Sequence, residues 1–70
     1  MAESELEMVA RHVAAGRRIV ARQRAMIATL KVAGHSVHAH EQTLRIFEST
    51  LQLFDEHERE IRERLGLSAA

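Results

Sequence analysis

Seventy residues without a cysteine or a proline make one small domain, and they exclude a disulfide framework and a thiolate zinc site. A chain this short buries a limited fraction of its surface and usually depends on a disulfide, a metal or a partner chain. Ten basic residues balance ten acidic ones, which argues against a general binder of nucleic acid or anionic membrane.

The chain opens Met1-Ala2-Glu3-Ser4-Glu5, an acidic start without the basic region and apolar core of a signal peptide. No apolar run approaches the roughly 20 residues needed to span a membrane. The expected location is the cytoplasm. Two phenylalanines and no Trp or Tyr leave no aromatic platform for stacking on bases or sugars.

Ser4 with Glu7 three residues on forms a capping box, so a first helix is expected from about residue 4 to 33. Only Gly16 interrupts it. Gly34 stands where a left-handed C-terminal cap belongs. Ser36 is placed to cap a second helix over about 37–65, and Gly66 supplies its stop. Each helix is about 45 Å long at 1.5 Å per residue.

The apolar spacing in both helices is heptad-like. Leu6, Val9, Val13, Gly16, Val20, Gln23, Ile27 and Leu30 alternate at steps of three and four in the first. Val37, His40, Leu44, Phe47, Leu51, Phe54, Glu58, Ile61 and Leu65 do so in the second. Folding at Gly34 pairs these seam positions level by level, with Leu30 near His40, Ile27 near Leu44 and Val20 near Leu51. Towards the open end it sets Gly16 opposite Phe54, Val9 opposite Ile61 and Leu6 opposite Leu65. A glycine facing a phenylalanine reads as a small-for-large match inside a helix. The fold class is therefore all-α, an antiparallel two-helix hairpin.

The flanking positions test that register independently. On one flank Lys31 faces Glu41, Arg24 faces Glu48 and Arg17 faces Asp55, three opposite-charge pairs at a constant offset. On the other flank His12 faces His57, Ile19 faces Thr50 and Met26 faces Thr43. Beyond them lie Met8 and Ala15 on the first helix and Ala39, Ile46 and Leu53 on the second. A lone hairpin would leave this second apolar strip in water, and its single seam is too small to offset the entropy of ordering two long helices. Two hairpins meeting through that flank make a four-helix bundle. The expected dimer interface is Ile19, Met26, Ile46, Leu53, His12, His57, Thr43 and Thr50.

The run His12-Val13-Ala14-Ala15-Gly16-Arg17-Arg18-Ile19-Val20-Ala21-Arg22-Gln23-Arg24, the Gly34-His35-Ser36 turn and Phe47-Glu48-Ser49-Thr50-Leu51 together resemble a group of short uncharacterised alphaproteobacterial proteins, common in rhizobia. The resemblance covers roughly residues 12 to 57. It implies a helical hairpin and carries no activity, cofactor or site residue. Where that group often has Asp or Asn after Gly-His, this chain has Ser36, an equivalent helix cap.

Candidate chemistry is sparse. His35, His38 and His40 cluster at the turn, but neither an i, i+4 His pair nor a Glu-x-x-His pair is present, so no metal site is assigned. These residues read as capping, packing or solvated groups, with a metal-binding or pH-responsive protein as one alternative. Gln23 and Glu58 interrupt the seam. Gln23 reads as a register-fixing residue, and Glu58 as lying near the open end with Arg62 one turn on. Arg11, Arg17, Arg18, Arg22, Arg24 and Lys31 form a basic stretch, which makes a weak nucleic-acid-binding dimer the other alternative. Three of these six already face carboxylates across the hairpin. The leading expectation is a non-enzymatic, self-associating hairpin without cofactor that serves protein–protein interaction or regulation.

Overall fold

The capping box at Ser4 forms as the spacing predicts. In the computed structural model, which describes residues 2–67, Ser4 Oγ accepts from the Glu7 amide at 3.0 Å while the Ser4 amide donates to Glu7 Oε1 at 3.4 Å. From there α1 runs over Glu5–Val32. Glu5 and Glu7 in its first turn and Lys31 in its last are matched to the helix dipole.

Gly34 ends this helix at φ +80°, a left-handed conformation that only glycine adopts without strain. Its amide donates to the Lys31 carbonyl at 3.0 Å, and the His35 amide reaches back to Leu30 at 2.9 Å. This pair of bonds is a Schellman closure. Gly66 repeats it at φ +72°, with bonds from Gly66 to Glu63 and from Leu67 to Arg62.

The second helix, α2, covers His38–Arg64 and begins one residue later than the serine signal implies. Its N-cap is Val37, which makes no side-chain cap bond. Ser36 is therefore not the cap. Val37 is buried, and holding it in the seam moves the helix start beyond the reach of the Ser36 hydroxyl.

The two helices pack along their length as one antiparallel hairpin 49 Å long. Its core is thin. Val9, Val13, Val20 and Ile27 of α1 are buried, but α2 contributes only Ile61, with Val37 closing the turn. Leu44, Leu51 and Phe54 are half-covered and Phe47 is exposed, because one opposing helix shields only one side of these broad side chains.

Two seam assignments change. Gly16 packs against Leu51 rather than Phe54: a Cβ there would meet Leu51 Cδ1 at 3.0 Å, and the nearest atoms all belong to that leucine. Leu65 does not close the seam with Leu6. It is the C-cap of α2 and is 56% exposed, so the last sealed layer is Val9 with Ile61, both at 1%.

Candidate functional site

The two flanks of the hairpin differ in kind. One carries the charge ladder: Arg17 Nη2 to Asp55 Oδ1 at 3.1 Å, Arg24 Nη2 to Glu48 Oε2 at 2.7 Å and Lys31 Nζ to Glu41 Oε2 at 3.6 Å. All three expected pairs form. A groove of about 620 Å³ runs beneath two of them, walled by both signs of charge, including Arg17, Arg24, Glu48 and Asp55. Charges already paired across the wall leave no net field for one kind of ligand. This flank sets register.

The opposite flank is apolar. A groove of about 260 Å³ lies between the helices, floored by Ala15 and Gly16 of α1 and walled by Ile19, Phe47, Thr50 and Phe54. Beside it stand Ile46 at 67% exposure and Leu53 at 66%, with Ile19 and Met8 also exposed. Met26 is half-buried at the same edge. Thr43 donates its hydroxyl to the Ala39 carbonyl at 3.1 Å, so that group is satisfied within α2. Small residues on α1 facing large ones on α2 leave the groove open.

The two histidines expected to face each other here take separate partners. The His12 ring meets the Phe54 ring edge-on, with centroids 5.2 Å apart at 63°. His57 Nε2 lies 3.5 Å from Glu5 Oε1, an ion pair when the ring is protonated, and Glu5 also holds Arg64 Nη2 at 2.7 Å. Heptad position places the two rings on one flank but does not say which way each leans. The nearby acid and the nearby aromatic ring decide that.

At the turn, His38 Nε2 lies 3.3 Å from the Gln42 side-chain nitrogen, and His40 is half-buried in the seam. Among the described residues no group of three or more His, Cys, Asp or Glu side chains is placed to hold a metal ion. Glu58 pairs with Arg62 at 3.4 Å, as its spacing implies. Gln23 is half-buried within the seam.

The basic stretch is more occupied than the sequence indicates. Arg11 engages Glu3 through two bonds, Nε to Oε1 at 3.0 Å and Nη2 to Oε2 at 3.1 Å. The hydrogen bond from Arg11 holds the Glu3 carboxyl below its ordinary pKa, and the same bond raises that of Arg11. Of the six cations only Arg18 and Arg22 make no ion pair among the described residues. Two isolated arginines are a small footprint for a phosphate backbone.

Among the described residues, no helix is long and apolar enough to cross a membrane. The geometry thus defines a helical hairpin with a register-setting charged flank and an uncovered apolar one. Compared with known proteins, the chain matches no family model, no curated protein and no solved structure.

Proposed function

We propose that this chain is a non-enzymatic interaction module that pairs with a second copy through its apolar flank to form a four-helix bundle. One observation carries the reading. The hairpin exposes 5424 Å², whereas a compact monomer of its 7.9 kDa mass exposes about 4,400 Å². The excess, about 1,000 Å², is close to the roughly 800 Å² that each partner loses in a standard protein interface. The apolar groove lined by Ile19, with the exposed Ile46 and Leu53 beside it, supports this flank as the one a second copy would cover.

The chemistry at hand supports a regulatory or adaptor role over a catalytic one. Four of the acids serve register or capping, namely Glu7, Glu41, Glu48 and Asp55. A catalytic acid or base instead needs a desolvated pocket with a partner group. Light scattering at micromolar concentration tests the self-association. The expected mass is about 16 kDa, twice the chain mass. A fully helical species at the mass of one chain would overturn the reading.

A further inference from the structure

Two symmetric dimers cover the same flank, and they differ in which helices become neighbours. With the twofold axis along the helices, α1 lies beside α2 of the second copy and both turns are at one end. With the axis across the helices, α1 lies beside α1, α2 beside α2, and the turns are at opposite ends. The apolar surface removed is similar, so apolar burial does not choose between them.

Charge chooses. Within α1 six basic residues stand against two acidic ones, a formal excess of +4, and within α2 four basic residues stand against seven acidic ones, an excess of −3. The first arrangement gives every helix an oppositely charged neighbour on both sides. The second sets two +4 helices side by side and brings the exposed Arg18 and Arg22 near their own copies at mid-length. Neither arginine has an ion-pair partner among the described residues to relieve that repulsion. Such forces are partly screened by salt, but they have opposite signs in the two arrangements.

Shape points the same way. The register set by Arg17 and Asp55 brings Leu53 to within about one turn of the level of Ala15. In the first arrangement Leu53 of each copy therefore projects over the groove that the other copy floors with Ala15 and Gly16. We infer that the hairpins associate with their turns at the same end, α1 of each lying against α2 of the other. This rests on the self-association proposed above.

The test uses the absence of native cysteine. Ser36→Cys at the exposed turn carries a nitroxide label, and pulsed electron paramagnetic resonance reads the label-to-label distance while light scattering reads mass. Turns at one end give a distance of roughly 20 Å, about two interhelical spacings. Turns at opposite ends give about 40 Å, the length of α1, and that result overturns the arrangement while leaving the dimer standing. A monomer mass without dipolar coupling overturns the dimer itself. Ala2→Cys, exposed at the other end, gives an independent reading: the two termini must also lie close together.

Discussion

Arg24 Nη2 sits 2.7 Å from Glu48 Oε2, the shortest rung of a ladder in which one partner climbs by a heptad as the other descends by a heptad. Both side chains are substantially exposed, so the pair adds little to stability and much to register. Arg24→Glu alone is expected to destabilise the hairpin by about 0.2–1 kcal/mol, and adding Glu48→Arg to recover most of that. Thermal melts of the two single variants and the double variant measure the coupling. Strict additivity of the singles would show that the rung contributes nothing.

The two serine signals separate cleanly. Ser4→Ala removes a formed cap and is expected to cost about 1 kcal/mol. Ser36→Ala removes no cap and is expected to stay within about 0.5 kcal/mol. Val37→Ala deletes roughly two buried methylene equivalents, about 1.5 kcal/mol. Denaturant melts rank the three, and a costly Ser36→Ala with a silent Val37→Ala would reverse the account of how α2 begins.

Much of the fold was legible because several signals had only one joint solution. Three opposite charges at heptad spacing on each helix admit one antiparallel register, and Gly34 marks the only sharp turn between them. What failed was finer. The cap signal of Ser36 and the seam signal of Val37 are one residue apart, and burial won over capping. Heptad position also fixes the level of a residue but not the lean of its side chain. The apolar groove, which leaves Phe47 uncovered and turns Phe54 towards His12, was therefore visible only as a closed seam. The small pair Ala15-Gly16 facing large residues was the one sequence signal of that gap.

A size match between Gly16 and Phe54 would make an added methyl costly, but the contact with Leu51 predicts a different outcome for mutation. Alanine gains about 1 kcal/mol of helix propensity over glycine. The added methyl meets the tip of Leu51 at 3.0 Å, and that tip belongs to a flexible, half-buried side chain able to move a few tenths of an ångström. Gly16→Ala is therefore expected to stabilise by about 0.5 kcal/mol, raising Tm by about 2–4 °C. A fall in Tm would mean that Leu51 is held rigidly.

Glu3 supplies a small acid-sensitive contact. Its carboxyl is held below the ordinary value by the hydrogen bond from Arg11. A depressed folded-state pKa contributes stability above the unfolded value, near pH 4.3 for glutamate, and loses it as the pH falls through the folded value. Amide exchange in the first turn of α1 should accelerate, relative to mid-helix amides, as the pH drops below about 4.3. Glu3→Gln should remove that step. Its persistence in the variant would assign the acid response to another carboxylate.

The apolar flank carries the heaviest consequence. Ile46 and Leu53 are about two-thirds exposed on the hairpin, so replacing them on an isolated chain would change surface residues alone, each within about 0.5 kcal/mol. In a bundle the same positions are covered, and a carboxylate there must be desolvated against apolar neighbours or force the chains apart, costing several kcal/mol. Ile46→Glu with Leu53→Glu is therefore expected to give a species at the mass of one chain. It should also have lost much of its helicity, because the hairpin's own core is little more than Val9, Val13, Val20, Ile27, Val37 and Ile61. Light scattering and far-ultraviolet circular dichroism read the two effects separately. A variant that stays dimeric and fully helical would remove this flank from the interface, and with it both the bundle and the arrangement of its turns.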